Sequence, residues 1–244
     1  MITYLNLGNY GRLGNQLWEI ASTIGISIKN EHDFIFPNWS YSKFFNKTLP
    51  QSNTISNIDI TITEKDSYYQ DIKLDKKKNY NLVGYFQSWK YFNHCENLIR
   101  EYFEPNFMVI PNHRVVGVHV RRTDYLNLQH VHPILELDYY RSAFEFFNRE
   151  NYVFKIFSYD VQWSKENFNN NNFPGYNINF SIGKTDIEDL FELSACEHQI
   201  IANSSFGWWS AYLNDNPQKI IIAPENYVIG ETRNDRIPLE WIRI

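Results

Sequence analysis

Short apolar runs separated by segments of helical spacing dominate the second half of the chain. Five runs predict buried strands, at residues 115–120, 152–158, 176–180, 198–202 and 219–223. Helices are predicted at residues 138–148, 161–168, from 186 onward and at 205–213. Asp138 is expected to cap the first of them. Strand–helix alternation at this rhythm predicts a parallel, doubly wound sheet.

The N-terminal segment predicts a strand, a Gly-rich loop and a helix. The strand covers residues 2–7, the loop contains Gly8, Gly11 and Gly14, and the apolar period of the helix begins at Leu17. The loop lacks both the GxGxxG spacing and the lysine of a P-loop, so the generic motif is weak. Glycines still let backbone N–H groups approach a ligand, and the start of a helix favours negative charge.

The segment between this helix and the regular second half is irregular. Residues 30–80 are rich in polar residues and predict one strand, at 58–63. A further strand and helix follow, and the helix is expected to end at Glu104-Pro105. We place a domain boundary just after this point, which gives an N-terminal domain at 1–110 and a C-terminal domain at 111–244.

Composition narrows the function classes. The chain has 244 residues, 43% of them hydrophobic, and a formal net charge of −5. These values are ordinary for a soluble globular protein and argue against a nucleic-acid partner, which would require a basic face. Aromatic residues are abundant, at 17%. They indicate either an aromatic core or a surface that binds carbohydrate, and composition does not separate the two.

Cysteine usage and the N-terminus bear on the compartment. Cys95 and Cys196 show neither a CxxC nor a zinc spacing, so we expect a reducing compartment. The first residues lack the basic start and apolar core of a signal peptide, and no apolar run is long enough to span a bilayer. We therefore expect a cytoplasmic protein without a membrane span. Peripheral association with a membrane stays open.

Polar residues follow three of the predicted strands, at one edge of the predicted sheet. They are His119, Arg121, Arg122, Ser158, Asp160, Asn203, Ser204 and Ser205. Doubly wound sheets bind nucleotides at that edge, and the planar fork of arginine pairs with phosphate oxygens. The residues also have structural alternatives: Ser204 and Asp160 as helix caps, and Arg122 in a surface ion pair. Together they predict a site for a phosphate-bearing ligand.

The segment "GVHVRRTDYL" resembles the HxRRxD motif of fucosyltransferases that use GDP-fucose. "GRLGNQLWEIA", "GYFQSWKYF", "LDYYRSAFEF", "FSYDVQWSKENF", "DIEDLFELSACEHQIIANSSFGWWSAYL", "KIIIAP" and "PLEWIRI" follow the order of segments in one enzyme family. The chain thereby resembles, over nearly its full length, the α-1,2-fucosyltransferases of glycosyltransferase family 11. It is short for that family, and residues 30–80 carry almost no family motif.

The resemblance implies a GT-B-type α/β architecture. Its C-terminal domain would be Rossmann-like and bind the GDP-sugar, and its smaller, irregular N-terminal α/β domain would lie on the acceptor side. The implied partners are GDP-fucose as donor and a galactose-containing glycan as acceptor.

The resemblance also implies roles for individual residues. Arg121 would hold the β-phosphate with His119 nearby, and Asp160 would contact the guanine. Ser204 and Ser205 would meet the phosphates. Asp189 would orient that pocket, and Asn15, next to Gly14 in the Gly-rich loop, would extend toward the diphosphate. Related enzymes often have two acids after the strand-end serine, whereas this chain has Tyr159 and then Asp160, so we expect one nucleotide contact to differ.

These features predict an inverting, metal-independent transfer of L-fucose from GDP-β-L-fucose to a galactoside 2-hydroxyl. Charge builds on the departing diphosphate, and Arg121 with helix N-termini could stabilise it without a metal or other cofactor. His130 and His132 form a weak metal pair because no third ligand is evident. Asp124 is the carboxylate nearest to Arg121 in sequence. It is a candidate general base, and its alternative role is to hold an arginine in position.

Three rival functions remain at this point. The first is a GDP-fucose enzyme with another acceptor or linkage, the second a sugar-binding module without catalysis, and the third a nucleotide-binding regulator that has lost transfer. A sugar-binding module has no need for two arginines and an aspartate at a sheet edge. The intact "HVRRTD" and "GNQ" segments argue against the regulator.

Overall fold

A computed structural model describes residues 1–183, 185–230 and 235–244 of the chain. The chain divides into two compact units. Unit 1 comprises Met1–Met108 and Asp235–Pro238, and unit 2 comprises Val109–Asn234 and Leu239–Ile244. The division lies close to the boundary placed from the sequence between residues 110 and 111. The grouping of Asp235–Pro238 with unit 1 has no counterpart in the sequence pattern.

Unit 1 is built on a small parallel sheet. Its strands and α-helices are β1 (Ile2–Thr3), α1 (Leu13–Lys29), β2 (Ile60–Thr63), β3 (Tyr80–Val83) and α2 (Glu96–Tyr102). The strands lie in the order β1-β3-β2, and Tyr80 is opposite both Ile2 and Ile60. The strand predicted at residues 2–7 is shorter than expected because the chain turns at once, with Leu7 N–H donating to the Tyr4 carbonyl.

Helix α1 is buried along most of its length and forms the centre of unit 1. It begins at Leu13, four residues before the start expected from the apolar period, because Leu13 and Gln16 are buried together with the apolar residues that follow. Gly14 and Asn15 therefore lie in the first helical turn, and their expected place in the preceding loop was wrong. A Cβ at Gly25 would lie 2.2 Å from the Tyr91 carbonyl oxygen, so this glycine permits close packing against α1.

Unit 2 contains the alternating strands and helices that the sequence pattern predicts. They are β4 (Asn112–Val120), α3 (Leu137–Phe144), β5 (Val153–Ser158), α4 (Val161–Asn167), β6 (Asn177–Phe180), α5 (Asp186–Ser194), β7 (Cys196–Ile200), α6 (Ser205–Leu213), β8 (Ile221–Ala223) and β9 (Ile242–Arg243). The helices at 161–168 and 205–213 and the helix start at Asp186 were predicted to within one residue.

The described part of unit 2 contains six strands, which form one parallel sheet in the order β6-β5-β4-β7-β8-β9. Counted from β4, this is the 3-2-1-4-5-6 order of doubly wound nucleotide-binding folds. The direction of winding reverses between β4 and β7, and ligands bind such sheets outside the carboxyl ends of the strands at that reversal. The topology thus marks one place in unit 2 for a binding site.

The core of unit 2 explains why its strands appear as apolar runs. Val116, Val118, Phe154, Ile156 and Ile200 are at most 2% exposed and belong to one cluster. Parallel strands covered by helices on both faces are buried on both sides, so nearly every position is apolar. Aromatic rings fill much of the same cluster, including a stack of Phe144 on Phe154 with centroids 4.1 Å apart. Part of the aromatic excess is therefore core.

The expected cap of α3 was wrong. The helix begins at Leu137, which packs against the core of unit 2, so Asp138 lies inside the first turn. The N-cap position belongs to Glu136, whose side chain makes no capping bond, and the Asp138 carboxylate instead accepts a hydrogen bond from Arg141 Nη1 at 2.7 Å. The helix also ends at Phe144, earlier than expected from the sequence.

Within the described parts of the chain, none of the helices combines the length and apolar character that crossing a bilayer requires.

Candidate functional site

The strand register of unit 2 brings three polar segments to one edge of the sheet. Val120 of β4 is paired with Ser158 of β5, and Val118 is paired with Ile200 of β7. The loops that begin at Arg121 and Tyr159 therefore leave the sheet at the same level, and the loop that begins at Ile201 leaves it two residues earlier, at the same edge. The first and third of these loops flank the reversal of winding between β4 and β7, the place where such sheets bind ligands.

Arg121 presents a largely buried guanidinium at the end of β4. The residue is 9% exposed, and its Nη2 donates a hydrogen bond to Asp124 Oδ2 at 2.7 Å. The guanidinium carbon lies 5.1 Å from the centre of the Tyr125 ring. Among the described residues, the buried Nε has no hydrogen-bond partner. A fixed cation that retains an unpaired donor is suited to bind an oxyanion.

Tyr125 joins the two loops that flank the reversal, a role that was not predicted from the sequence. The residue is 9% exposed, and its hydroxyl donates to the Asn203 carbonyl at 2.9 Å. The His132 ring stacks on it with centroids 4.3 Å apart, and His132 Nδ1 lies 3.2 Å from the Tyr227 carbonyl. Tyr125 thus ties the segment after β4 to the segment before α6. Its place just after the Arg-Arg-Thr-Asp run was the available sequence signal.

Arg122 lies against an aromatic ring and also forms a weak ion pair. Its guanidinium carbon is 4.0 Å from the centre of the Trp163 ring on α4, and its Nη1 is 3.9 Å from Glu136 Oε2. The Arg122 side chain is 13% exposed, whereas that of Glu136 is 71% exposed, so solvent weakens the pair. The stacking contact links the loop after β4 to the helix that Asp160 caps.

His119 is buried within unit 2. It lies on β4, is 2% exposed, and its ring centroid is 5.4 Å from that of Phe206 on α6. Burial, with the nearby Arg121 charge as a smaller cause, lowers the pKa of His119 to about 3. The imidazole is therefore neutral at ordinary pH and offers one N–H rather than a positive charge. A Cβ at Gly207 would lie 2.7 Å from His119 Nδ1, so this glycine lets the ring fit beneath α6.

Asp160 and Ser204 both cap helices, which was the structural alternative for each. Asp160 Oδ1 accepts from Trp163 N–H at 3.3 Å, and Asp160 N–H donates to Ser158 Oγ at 3.0 Å. Ser204 Oγ accepts from Phe206 N–H at 3.4 Å, and Ser205 is the first residue of α6. Capping uses one oxygen and leaves acceptor capacity on the Asp160 carboxylate. The first-turn N–H groups of α6 also favour an anion at this edge.

Asp189 lies further along the same edge, toward β6. It occupies the first turn of α5, and its Oδ1 accepts from the hydroxyl of Ser181 at 3.0 Å, just after β6 ends. In the sheet order, β6 is separated from β4 by β5. The position is next to the β5 loop that carries Asp160, and one strand removed from Arg121.

Asn15 is held in unit 1 by two residues that are distant in sequence. Arg236 Nε donates to Gln87 Oε1 at 3.2 Å, and Gln87 Nε2 donates to Asn15 Oδ1 at 3.0 Å. Arginine has donors only, so Gln87 must present its oxygen to Arg236 and its amino group to Asn15. Asn15 consequently uses its oxygen internally and retains Nδ2 as a donor. No role for Gln87 or Arg236 was predicted from the sequence, although Gln87 lies in the family-like segment "GYFQSWKYF".

Gly14 is buried in the first turn of α1, and α1 carries no acidic residue in that turn. The preceding Gly8 and Gly11 have φ values of +86° and +87°, the left-handed region that glycine adopts without strain. The loop thus leads into a helix N-terminus whose first turn carries no acidic side chain. Free backbone N–H groups without a competing carboxylate favour the binding of an anion.

The pair His130 and His132 gives no metal site in the described part of the chain. His132 stacks on Tyr125, and no group of three or more His, Cys, Asp or Glu residues is arranged to hold a metal within residues 1–183, 185–230 and 235–244. The expectation that no metal takes part stays a prediction.

Comparison with known proteins gives a family match across the chain. The model described as Glycosyl transferase family 11 matches residues 9–244.

Several curated proteins share this similarity. WbnK of Escherichia coli, an O-antigen biosynthesis glycosyltransferase, is 28% identical over 72% of this chain and 65% of its own length. An Escherichia coli alpha-1,2-colitosyltransferase is 31% identical over 74% of this chain and 68% of its own. Human galactoside alpha-(1,2)-fucosyltransferase 1 is 26% identical over 83% of this chain and 63% of its own. The chain spans about two thirds of the length of these relatives.

Solved structures share the fold. Fucosyltransferase NodZ from Bradyrhizobium has a TM-score of 0.53 at 13% identity, over 86% of this chain and 92% of that one. A variant of FUT1 from Arabidopsis thaliana in complex with GDP has a TM-score of 0.54 at 10% identity, over 93% and 71%. At such identities the likeness shows the fold alone. The predicted GT-B-type α/β fold class is confirmed.

Proposed function

Because the chain belongs to glycosyltransferase family 11, we propose that it transfers L-fucose from GDP-β-L-fucose to the 2-hydroxyl of a galactoside. The observation that carries the proposal is Arg121, a largely buried guanidinium at the reversal of the sheet, fixed by Asp124 and retaining an unpaired Nε among the described residues. The names of the relatives support the donor class and the α-1,2 linkage.

The chemistry needs a stabilised leaving group. The acceptor oxygen attacks the anomeric carbon, the bond from that carbon to the β-phosphate oxygen breaks, and GDP departs with the bonding electrons. The proton of the acceptor hydroxyl leaves to solvent or to a nearby base. Negative charge grows on the diphosphate while the sugar becomes oxocarbenium-like, so donors aimed at the phosphate lower the barrier most.

Arg121 supplies a donor of that kind in unit 2. It is held before substrate arrives, because Asp124 binds one amino group and the guanidinium lies over the Tyr125 ring. Little reorganisation is then needed when charge develops. The first-turn N–H groups of α6 supply further donors, and Asp160 can accept N–H bonds from a guanine edge.

Asp124 fits the role of a positioning residue better than that of the base. Its Oδ2 is engaged by Arg121 at 2.7 Å, and its Oδ1 accepts from the Thr123 hydroxyl at 3.0 Å. A carboxylate engaged on both oxygens and paired with a cation is a weak proton acceptor. An attack from the face opposite the leaving group inverts the anomeric centre, and we propose that it proceeds without a metal.

One relative supports a second candidate for the donor sugar. The relative at 31% identity is an alpha-1,2-colitosyltransferase. Transfer of colitose is therefore the alternative for the donor sugar. Another acceptor or linkage remains the alternative for the product.

The test is incubation of the protein with GDP-fucose or GDP-colitose and a panel of β-galactosides, with the linkage of each product determined by NMR. We expect an α-1,2-fucosylated galactoside and GDP in equal amounts, and no product with Arg121→Ala. A preference for GDP-colitose would correct the donor, and another linkage would correct the acceptor. Absence of acceptor-dependent GDP release with either donor would overturn the proposal in favour of a sugar-binding module.

A further inference from the structure

Unit 1 contains a small polar cavity that the roles assigned so far do not use. Its volume is about 140 Å³, and Glu64, Tyr85, Gln87 and Arg236 are among the residues that line it. These four residues define what is here called the unit 1 cavity. At about 30 Å³ per water in the liquid, the space equals that of four or five waters. It is large enough for one edge of a monosaccharide.

The polar side chains of the unit 1 cavity are fixed in place. Glu64 Oε2 accepts from Tyr85 N–H at 2.8 Å, so the backbone orients the carboxyl group. Arg236 is 6% exposed, and its Nε donates to Gln87 at 3.2 Å. Burial raises the pKa of Glu64, and hydrogen bonds from the backbone partly oppose that rise. A held carboxyl, amide and guanidinium together offer both acceptors and donors within a few ångströms.

That mixture fits neutral hydroxyls better than ions. Each sugar hydroxyl donates one hydrogen bond and accepts others, so neighbouring hydroxyls match a surface that alternates acceptors and donors. An anion would meet the Glu64 carboxyl, and the neighbouring Asp66 also lines the space. A cation would meet Arg236 and Lys65. An apolar ligand would leave these polar groups without partners, which is costly.

Tyr85, which lines the cavity, is one ring of an aromatic pair. The Tyr10 and Tyr85 rings stack with centroids 4.7 Å apart, and the two residues remain 38% and 37% exposed. Tyr10 belongs to the Gly-rich loop before α1. Aromatic rings exposed at a polar site combine a flat apolar face with a polar tip. A pyranose ring, with an apolar C–H face and a rim of hydroxyls, matches both features.

The cavity is connected to the first turn of α1 by a single hydrogen bond. Gln87, one of its walls, donates to Asn15 at 3.0 Å. A sugar hydroxyl bound to Gln87 would therefore lie one side chain away from Asn15. The juxtaposition of a polar cavity that fits one edge of a sugar, an exposed tyrosine pair and Asn15 lies entirely within unit 1.

We propose that the unit 1 cavity is a subsite for one neutral monosaccharide of the acceptor glycan, with Tyr85 and Glu64 as its contact residues. The inference rests on the proposed function, because it names where that reaction's acceptor binds. Its ligand class is an uncharged pyranoside.

The test combines binding with kinetics on the full chain. Saturation-transfer NMR with methyl β-D-galactopyranoside and with lactose, in the presence of GDP, measures acceptor binding without turnover. Tyr85→Ala and Glu64→Gln are compared with Tyr85→Phe, which keeps the ring, and with Phe146→Ala, which removes a 47% exposed aromatic residue in unit 2. Thermal unfolding of each variant shows whether it is folded.

We expect Tyr85→Ala and Glu64→Gln to weaken galactoside binding and raise the acceptor KM about tenfold, as for a lost ligand contact, with the GDP-fucose KM unchanged. Tyr85→Phe should weaken galactoside binding less than Tyr85→Ala, and Phe146→Ala should leave it unchanged. Folded Tyr85→Ala and Glu64→Gln variants with wild-type acceptor binding and KM would overturn the subsite while leaving the transferase intact. A wild-type chain that binds galactosides through this cavity but transfers no sugar would overturn the proposed function while leaving the subsite intact.

Discussion

Arg121 Nη2 donates to Asp124 Oδ2 over 2.7 Å, between residues three positions apart in the short turn that follows β4. The Asp124 side chain is 37% exposed, whereas that of Arg121 is 10% exposed. The aspartate therefore stands on the solvent side and holds the arginine from there. The pair explains why a chain with a net charge of −5 carries a largely buried arginine at a sheet edge.

We predict that Arg121→Ala lowers kcat about 100- to 1,000-fold, the usual effect of removing one donor to a developing charge. Arg121→Lys should restore little of the lost kcat. The lysine ammonium is a point charge and does not reproduce the planar guanidinium that Asp124 holds on one side. Steady-state kinetics with GDP-fucose measure both, and thermal unfolding shows whether the variants are folded.

Asp124→Asn serves as the matched control for that experiment. If Asp124 only positions Arg121, the amide keeps one hydrogen-bond acceptor, and the loss of kcat should be smaller than for Arg121→Ala with an unshifted pH profile. A loss as large as that of Arg121→Ala, with an altered pH profile, would instead identify Asp124 as the general base. Near-wild-type turnover in Arg121→Ala would remove the basis of the proposed mechanism.

Gln87 should control catalysis through Asn15. In Gln87→Glu a carboxylate can still accept from Arg236, but it cannot donate to Asn15 Oδ1, so the Asn15 amide is expected to turn and direct Nδ2 at the new carboxylate instead of offering it to a ligand. We predict a drop in kcat of about tenfold or more, the cost of one misplaced hydrogen bond, with little change in melting temperature. Kinetics and calorimetry on Gln87→Glu and on the control Gln218→Glu check this. Unchanged kcat in Gln87→Glu would show that the orientation of Asn15 does not matter.

Asp160 is expected to select guanine while it caps α4. The two roles separate in Asp160→Asn, because asparagine caps helices as well as aspartate but does not offer two carboxylate oxygens to the N1 and N2 edge of guanine. We predict that GDP protects the wild-type protein thermally and ADP does not, and that Asp160→Asn and Asp160→Ala both lose most of the difference. Only Asp160→Ala should also lower stability, by about 1 kcal/mol.

Calorimetric titration of GDP and ADP into the wild type, Asp160→Asn and Asp160→Ala measures the two affinities. A GDP-to-ADP affinity ratio that stays the same in Asp160→Asn would leave the cap as the whole role of this residue.

Catalysis is expected to survive chelation. The anion-stabilising groups proposed here are a guanidinium and helix N-termini, so EDTA should leave turnover within about a factor of two, the scale of ordinary assay and salt effects on surface charge. Asp186 and Glu188 are the first residues to examine if it does not. Glu188 already accepts from Thr185 N–H and hydroxyl in a capping box. Full loss in EDTA with recovery in Mg²⁺ or Mn²⁺ would require a metal site.

Glu19 should make unit 1 less stable as pH rises. It is fully buried in α1, neither carboxyl oxygen has a hydrogen-bond partner among the described residues, and burial raises its pKa from 4.5 to about 9. Below pH 4.5 the group is neutral in both the folded and the unfolded chain. Between pH 4.5 and 9 the unfolded chain loses the proton first, so the free energy of unfolding falls.

We predict that the stability of Glu19→Gln relative to wild type rises by roughly 4 kcal/mol between pH 5 and pH 8. Denaturant unfolding at the two pH values measures it, with the exposed Glu104→Gln as control. Histidines titrate in the same range, but they are common to all three proteins and cancel in the difference. A constant difference between the two pH values would mean that Glu19 is ionised in the folded chain.

The local pattern of apolar and polar residues was enough to predict most strands and helices of unit 2. Buried parallel strands must be apolar on both faces, and helices must show one apolar side, so the strand of Val115 to Val120 and the helix at 205–213 could be predicted from the residues within them. The polar residues at strand ends were found for the same reason, because the apolar run stops where the strand leaves the sheet. Arg121, Asp160 and Ser204 needed no more than that, although their ligand roles remain predictions.

The tertiary structure alone decided which strands are neighbours and which distant side chains meet. The pairing of β4 with β7 sets the reversal of winding, and nothing within either strand specifies its partner. Gln87 and Arg236, separated by 149 residues, meet because folding brings both to the wall of the unit 1 cavity, where the largely buried Arg236 donates to Gln87. Helix α1 begins at Leu13 because burial in unit 1 extends past the periodic segment. The local sequence pattern predicts which residues are buried. Hydrogen-bond partners and strand pairing depend on residues that are distant in sequence and that only folding brings together.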